Sequence, residues 1–397
     1  MSATLTANWN YPTRVLVGPG RLAELGEACE STGMTRPLLV TDKGLADGPV
    51  IEKARAALAK AGLPVAVFSD VRGNPTKANL DTGVEAFRKG RHDGVVAIGG
   101  GSALDVGKTI AFMHAQTRPV WDFEDIGDWW TRAETKGIAP IIAVPTTAGT
   151  GSEVGRASVV TNEETRQKKI IFHPLMLPKI VIADPETTIG LPPFLTAATG
   201  FDALAHCFEA YCAPGFHPLS DGIALEGLRL IKEYLPLAYK NGADLEARSR
   251  MLAAASMGAT AFQKGLGAVH SISHPIGAFY DTHHGLTNGV VLPYVMAFNR
   301  AAIEDKMKLL ARFLDLAKPG FGGVMEWMLA LRKELGVPHS LAELGVKEDR
   351  IDEMATKAVD DPSTGGNPVP MQAPDFAKVM RAALHGDVAA AGRERGL

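Results

Sequence analysis

The sequence predicts two domains, an α/β domain with a parallel sheet in the N-terminal half and an all-α domain in the C-terminal half. Up to about residue 185, short β-branched runs alternate with helical patterns, which is typical of a parallel sheet covered on both faces. After about residue 190 these runs stop and long amphipathic stretches follow. A chain of 397 residues also exceeds what one compact core usually organises.

Six short apolar runs are the predicted strands of the first domain. They lie at residues 15–17, 37–41, 65–68, 94–98, 141–144 and 180–183. Between them, stretches such as RLAELGEACE and IEKARAALAKAG repeat apolar residues at intervals of three and four, which predicts helices. In the second half, DGIALEGLRLIKEYLPLAY and ARSRMLAAASMGATAF have the same period and predict longer helices.

The segment ADPETTIGLPPF separates the two halves. Its prolines and turn residues interrupt regular structure. We therefore expect one domain over residues 1–187 and a second over residues 188–397. From DDPSTGGNPVP onward, the pattern indicates a loop followed by closing helices.

Composition excludes several classes of protein. The chain has 41 basic and 44 acidic residues and no basic stripe, so nucleic acid is not an expected partner. We expect no signal peptide at the N-terminus, and no apolar run approaches the length of a membrane span. Three cysteines, Cys29, Cys207 and Cys212, lack the paired spacing of a zinc site, which favours a reducing compartment. We expect a cytoplasmic protein.

A glycine-rich turn follows the strand GVVAI. Gly99, Gly100, Gly101 and Ser102 come directly before the predicted helix ALDVGKTIAFM. Such a turn lets backbone amides approach a pyrophosphate at a helix N-terminus, with Ser102 as a cap and ligand. This predicts a Rossmann-like, dinucleotide-binding domain, although the turn matches neither standard phosphate-binding fingerprint and a simple tight turn is the alternative.

Two further segments follow predicted strands and offer groups to a cofactor. Asp42 ends the run PLLVT, where its carboxylate could bind an adenosine ribose and repel the extra phosphate of NADP, which favours NAD. The alternative is that Asp42 is a turn residue. The segment PTTAGTGSE, residues 145–153, combines small residues with hydroxyls that could face a phosphate or a ribose.

Metal-competent side chains gather in three short segments. A spacing of four residues places two such side chains on one helical face in both GFDALAHCFEA and VHSISHPIGA. The segments contribute Asp202 and His206, His270 and His274, and His283 and His284. For the first pair alone a surface ion pair is the alternative, but a buried histidine cluster without a ligand would be unfavourable. One carboxylate with imidazoles suits Fe(II), Zn(II), Co(II) or Mn(II) with one position open for substrate.

In the order of its motifs the chain resembles the iron-containing (group III) alcohol dehydrogenase family, which includes lactaldehyde reductase and 1,3-propanediol dehydrogenase. The matching motifs are GPGRLAELG, GGGSALDVGK, PTTAGTGSEV, GFDALAHCFEAY, GLGAVHSISHPIGAFYDTHHGLTN and GGNP. The resemblance implies an oxidoreductase, dependent on NAD and Fe²⁺ with Zn²⁺ as the alternative ion. It would interconvert a small primary alcohol or diol and its aldehyde by hydride transfer, with the metal polarising the substrate oxygen. It also implies a homodimer.

The resemblance further implies roles for individual residues, with the metal and the catalytic group in the helical domain. The metal ligands would be Asp202, His206, His270 and His284. His274 would be the catalytic proton carrier, and Phe262 would lie near the substrate pocket. The cofactor-binding residues would be Asp42, Asn74, Gly99, Gly100, Gly101, Ser102, Thr146, Thr147 and Lys168.

Two departures from the family pattern concern the active site. His283 stands where many members have a proline before the last histidine ligand, and AFQKGLG is shorter than the corresponding segment of better-known members. Other interpretations of the same architecture stay open: a zinc-dependent polyol dehydrogenase of the glycerol type, a maleylacetate reductase, a dehydroquinate-synthase-like lyase, and a catalytically silent scaffold. A lyase of that kind needs several basic residues for its anionic substrate, and only Lys264 lies near the ligand segments.

Overall fold

The computed structural model describes residues 13–392, which form two compact units. One unit ends at Leu191 and the other begins at Pro192. The boundary expected after residue 187 therefore lies four residues earlier, inside the 3-10 helix Pro185–Thr188.

The first unit is built on a parallel sheet, as the sequence predicts. The strands of this unit are β1 (Arg14–Val17), β2 (Pro37–Val40), β3 (Ala66–Phe68), β4 (Gly94–Gly99), β5 (Ile141–Pro145), β6 (Ala157–Asn162), β7 (Gln167–Phe172) and β8 (Ile180–Ala183). Six of them form one sheet in the order β1-β8-β5-β4-β2-β3, and all of its pairs are parallel. The carboxyl ends of β2, β4 and β5 thus lie side by side.

Helices cover both faces of this sheet. They are α1 (Leu25–Ser31), α2 (Pro49–Lys60), α3 (Lys77–Lys89) and α4 (Gly101–Met113). Val96 and Ile98 of β4 belong to the apolar cluster that contains the buried side chains of α1 and α2. On the other face, a Cβ at Gly107 of α4 would lie 2.7 Å from the Ala97 Cβ, so α4 packs closely against β4. Burial on both faces explains why the central strands β2, β4, β5 and β8 are continuous apolar runs.

The antiparallel hairpin of β6 and β7 is a feature that the sequence analysis does not predict. It is fastened to α4 by Asp105, whose Oδ2 accepts the Val159 N–H at 2.8 Å. The aromatic segment over residues 121–130 lies against the same hairpin, because Asp125 donates its N–H to the Ile170 carbonyl at 2.8 Å. Most of the positions in these two strands are only partly buried, so they lack the continuous apolar run of the central sheet strands.

The second unit is all helical over residues 192–392, as predicted. Its helices are α5 (Pro193–Cys212), α6 (Pro218–Lys240), α7 (Leu245–Ala261), α8 (Ala268–Tyr280), α9 (His284–Phe313), α10 (Gly320–Glu334), α11 (Ile351–Val359), α12 (Ala373–His385) and α13 (Val388–Gly392). Helix α5 is buried continuously from Thr196 to Cys212 and packs against α6, α7 and α9. Among residues 13–392, none of the helices combines the length and the apolar character that a membrane span requires.

Candidate functional site

Four metal-competent side chains converge on one point inside the helical unit. Helix α5 carries Asp202 and His206 one turn apart, α8 carries His270, and α9 begins with His284. The Asp202 Oδ1 lies 3.8 Å from the His206 Nε2, 3.8 Å from the His270 Nε2 and 3.6 Å from the His284 Nε2. The donor atoms of Asp202, His206 and His270 all lie within 4.8 Å of one another.

One glycine and one unusual backbone conformation make this convergence possible. A Cβ at Gly285 would lie 2.3 Å from the Ala198 carbonyl oxygen and 2.9 Å from the Asp202 Cβ, so only glycine lets α9 begin this close to α5. Asp281, which follows α8, has a φ of 51° in the left-handed region. This conformation ends α8 and leaves three residues to connect it to His284.

The cluster is buried, and its charges balance one another. Asp202, His206 and His270 are 2%, 5% and 1% exposed. Burial raises the pKa of Asp202, but the charges of His206 and His284 and a contact from His270 outweigh it and hold that pKa well below its ordinary value. Burial lowers the pKa of His270, whereas the carboxylates of Glu209 and Asp202 raise it, with a net result of about 9.

The chemistry of this donor set fits a divalent metal ion. Three imidazole nitrogens and one carboxylate oxygen face a common point from three helices. A buried carboxylate is unfavourable unless a positive charge compensates it, and the carboxylates of Glu209 and Asp202 raise the pKa of the neighbouring His270. Such a mixed N/O set is the type that binds Fe(II) or Zn(II) in proteins.

Two polar side chains that the sequence analysis does not include contact this cluster. Glu209 of α5 accepts a hydrogen bond from the His270 Nδ1 at 2.5 Å. The Asn288 Nδ2 donates to the Asp202 Oδ1 at 2.8 Å and lies 3.2 Å from the His284 Nε2. Helical spacing could have indicated both, because Glu209 lies three residues after His206 and Asn288 four residues after His284.

His274 lies beside the cluster, one turn beyond His270 on α8. Its Nδ1 donates to the Asp361 Oδ2 at 2.7 Å, and its ring stacks on that of His284 with centroids 5.2 Å apart. Burial raises the pKa of Asp361, but His274 and hydrogen bonds from Ser363 hold it below its ordinary value. The Nδ1 contact with Asp361 leaves the Nε2 of His274 as the nitrogen available to a reacting group.

Two other predicted positions flank the cluster. The ring of Phe262 lies 5.1 Å from the His206 ring between centroids, which places an aromatic side chain next to the candidate ligands. His283, the residue before α9, is exposed, whereas His284 approaches Asp202.

Cys207 is fully buried, and burial raises its pKa to about 12, as expected for a small apolar core residue.

Most of the predicted cofactor residues gather at the carboxyl ends of β2, β4 and β5. The Thr146 N–H donates to the Gly99 carbonyl at 3.0 Å, and a Cβ at Gly100 would lie 3.3 Å from the Thr147 Cγ2. A Cβ at Gly99 would lie 3.4 Å from the Asp42 Oδ2. The Asp42 Oδ1 itself accepts the N–H groups of the next loop at 2.9 and 3.1 Å. The carboxyl ends of these three strands therefore combine hydroxyls, backbone amides and a carboxylate.

The expectation that Ser102 caps α4 is wrong. The helix begins at Gly101, its N-cap residue is Gly100, and no side chain caps it. A Cβ at Gly101 would lie 2.7 Å from the Thr150 Cγ2, so glycine allows the helix to begin directly at the strand end. Ser102 is consequently the second residue of the helix, and its N–H is one of the unpaired donors of the first turn.

Asn74 and Lys168 lie next to the hairpin rather than at the three strand ends. Asn74 has a left-handed φ of 54° and precedes Pro75, whose carbonyl accepts the Thr161 N–H at 2.8 Å. Thr161 of β6 is the partner of Lys168 on β7. The hairpin thus brings Lys168 to the segment that contains Asn74.

Comparisons with known proteins agree with these arrangements. A family model described as iron-containing alcohol dehydrogenase matches residues 12–185, and one described as the C-terminal domain of the Fe-containing alcohol dehydrogenase family matches residues 196–384. The chain is 39% identical to 4-hydroxybutyrate dehydrogenase of Cupriavidus necator over 94% of this chain and 99% of the relative. It is 35% identical to NAD-dependent methanol dehydrogenase of Bacillus methanolicus over 95% and 100% of the two chains.

A solved structure has the same architecture throughout. The crystal structure of 1,3-propanediol oxidoreductase superposes with a TM-score of 0.90 at 35% sequence identity, covering 95% of this chain and all (100%) of the other. The two family models, the similar sequences and the similar crystal structure together cover both units of the chain. The chain therefore belongs to the iron-containing alcohol dehydrogenase family and is an alcohol oxidoreductase.

Proposed function

We propose that the protein is an NAD- and iron-dependent dehydrogenase that interconverts a small primary alcohol or diol and its aldehyde. The observation that carries the proposal is the buried convergence of one carboxylate and three imidazoles on a single point. The names of the similar proteins support the substrate class, because methanol, 1,3-propanediol and 4-hydroxybutyrate all have a primary hydroxyl group.

The proposed ligands are Asp202, His206, His270 and His284. When bound, iron polarises the substrate oxygen as a Lewis acid and the nicotinamide ring exchanges the hydride. Asp202 supplies the negative charge that retains a divalent cation among neutral imidazoles. Phe262 provides an apolar surface next to His206 for the carbon chain of the substrate and excludes water there.

Reconstitution of the apoprotein tests this proposal. Fe(II) or Zn(II) is added without oxygen, and NADH is followed by its absorbance across a panel of primary alcohols, diols and aldehydes. We expect NAD-linked turnover that is highest with Fe(II). Activity with Zn(II) alone would favour the polyol dehydrogenase interpretation. Absence of turnover with every metal and substrate would contradict the proposal and favour a lyase or a silent scaffold.

For the cofactor, we propose that Asp42 binds the adenosine ribose and that Gly99, Gly100 and Gly101 hold the pyrophosphate, with support from Thr146 and Thr147. Ser102, Asn74 and Lys168 complete the proposed cofactor-binding set. The carboxylate of Asp42 would accept hydrogen bonds from ribose hydroxyls and repel the phosphate of NADP.

The substitution Asp42→Asn should relax the preference for NAD. Asparagine retains a side-chain oxygen for the N–H groups of Gly44 and Leu45 but removes the charge. We expect the ratio of kcat/KM for NAD over that for NADP to fall by about tenfold or more, equivalent to at least about 1.4 kcal/mol. The exposed neighbour Asp47, changed to Asn, is the matched control and should leave the ratio unchanged. An unaltered ratio in D42N would show that Asp42 is only a turn residue.

We propose that His274 carries a proton between the substrate and solvent through its Nε2. Asp361 accepts a hydrogen bond from the His274 Nδ1 and keeps that nitrogen protonated. The substitution His274→Gln keeps a donor for Asp361 but removes a titratable group. We expect kcat to fall about 100-fold or more with metal content unchanged. Metal content is measured by elemental analysis of the purified variant. Loss of metal in H274Q would instead make His274 a ligand.

We also propose that the protein is a cytoplasmic homodimer, as the family resemblance implies. Light scattering on the purified protein measures the molar mass in solution. A mass of one chain would contradict the dimer.

A further inference from the structure

We propose that Glu209 is a positioning residue of the metal centre, which holds His270 so that its Nε2 is the nitrogen offered to the metal. The inference rests on the proposed function, because it takes His270 as one of the ligands. Glu209 itself would not bind the ion. Glu209 would affect metal binding through the imidazole of His270, which it contacts.

Both carboxylate oxygens of Glu209 have a defined partner. The Oε2 accepts a hydrogen bond from the His270 Nδ1 at 2.5 Å, and the Oε1 accepts the Val269 N–H at 2.7 Å. The Glu209 side chain is 5% exposed, so little water competes for either oxygen. Rotation of the carboxylate would break at least one of these contacts, and its orientation is therefore determined by adjacent groups of α8.

This contact determines which imidazole nitrogen carries the proton. A carboxylate only accepts hydrogen bonds, so the Nδ1 of His270 must be protonated to satisfy Glu209. In the neutral imidazole, the lone pair then lies on the Nε2, which faces the Asp202 Oδ1 at 3.8 Å. A hydrogen bond to the second nitrogen also raises the basicity of the first and strengthens metal binding.

The surrounding elements hold Glu209 in this position. It lies on the same buried helix as Asp202 and His206, seven and three residues after them, so all three project from one helical face. Val269 is the second residue of α8, where unpaired N–H groups favour an anion. A Cβ at Gly267 would lie 2.9 Å from the Glu209 Oε1, so glycine preserves the space that the carboxylate occupies.

The next histidine along α8 has an equivalent contact. The His274 Nδ1 donates to the Asp361 Oδ2 at 2.7 Å, and Asp361, like Glu209, is buried at this contact. The two carboxylates therefore make the same bond to two histidines one turn apart. Only His270 lies in the proposed ligand set, and the two pairs should consequently differ in their effect on metal affinity.

The substitution Glu209→Gln tests this difference. The two donors bind different oxygens of Glu209, and glutamine replaces one of these oxygens by an NH2 group. One of the two donors, the His270 Nδ1–H or the Val269 N–H, would then face another donor. We expect the affinity of the apoprotein for Zn(II), measured in competition with a chelator of known affinity, to fall by about 10- to 100-fold. Asp361→Asn is the matched control, and its affinity for Zn(II) should equal that of the parent protein.

A purely structural role for Glu209 gives a different result. If Glu209 served only to stabilise the start of α8, E209Q would lower the melting temperature of the apoprotein and leave the Zn(II) affinity unchanged. That outcome would overturn the inference, as would an equal loss of affinity in D361N.

If E209Q does not fold, a crystal structure of the zinc-loaded parent protein decides. Coordination through the Nδ1 of His270, or by Glu209 itself, would overturn the inference, whereas coordination through the Nε2 supports it.

The failure of the proposed function is distinguishable from the failure of this inference. Zn(II) binding that is lost in an Asp202 variant but unchanged in E209Q would contradict the role of Glu209 and leave the ligand set intact. A parent protein that binds no Zn(II) would overturn both.

Discussion

The substitution Asp202→Asn is expected to abolish metal binding and to lower kcat/KM by about a thousandfold or more, equivalent to about 4 kcal/mol of transition-state stabilisation. The Oδ1 of Asp202 is the atom that the three imidazole Nε2 atoms face at 3.6 to 3.8 Å. Asparagine has nearly the same shape and can still accept the hydrogen bond from Asn288, but a neutral amide retains a divalent cation poorly. Metal content and steady-state kinetics measure the two effects.

A buried carboxylate of the other unit provides the control for D202N. Asp184 is 1% exposed and accepts N–H groups of Gly20 and Leu22. Asp184→Asn therefore removes a comparably buried charge without touching the cluster and should leave the metal content unchanged. Parent-like metal affinity in D202N would contradict the proposed ligand set.

The substitution Gly285→Ala is expected to lower the free energy of unfolding of the apoprotein by about 2 kcal/mol and to weaken metal binding as well. The added Cβ would lie 2.3 Å from the Ala198 carbonyl oxygen and 2.9 Å from the Asp202 Cβ. Neither neighbouring atom is the far end of a flexible side chain, so the start of α9 must move away from α5. This movement also displaces His284 from Asp202. Urea denaturation and chelator competition measure the two effects.

Gly222→Ala is the matched control, because Gly222 lies inside α6 with no atom within 4 Å of the added Cβ. Alanine is the better helix former, so we expect G222A to be neutral or up to about 1 kcal/mol more stable than the parent protein. If G285A had the stability and metal affinity of the parent, the close packing of α9 on α5 would not be needed for the cluster.

The main features of the fold could be predicted because the central strands of its sheet are buried on both faces. Such strands appear as continuous apolar runs, and GVVAI and IIAV coincide with β4 and β5. The hairpin of β6 and β7 could not be recognised in this way, since polar and partly buried positions interrupt the apolar run. The turn sequence between Asn162 and Gln167 is a local indication of this hairpin.

The metal cluster was partly predictable because helical spacing is local. Asp202 and His206 lie four residues apart, and so do His270 and His274, which indicates a shared face in each helix. The carboxylates that contact the two histidines of α8 are 61 and 87 residues away in the chain. Helical spacing places Glu209 on the same face as His206, but which residue of another helix it contacts depends on how the helices pack.

Under the proposed ligand set, the ion would join α5 to the α8–α9 connection across a segment that contains the whole of α6 and α7. All three cysteines are free, so no disulfide makes this link. The metal would thus be a reversible cross-link within the helical unit, and the stability of this unit would increase with the concentration of free ion relative to its dissociation constant. Iron supply in the cell would then control the lifetime of the protein against proteolysis as well as its rate of reaction.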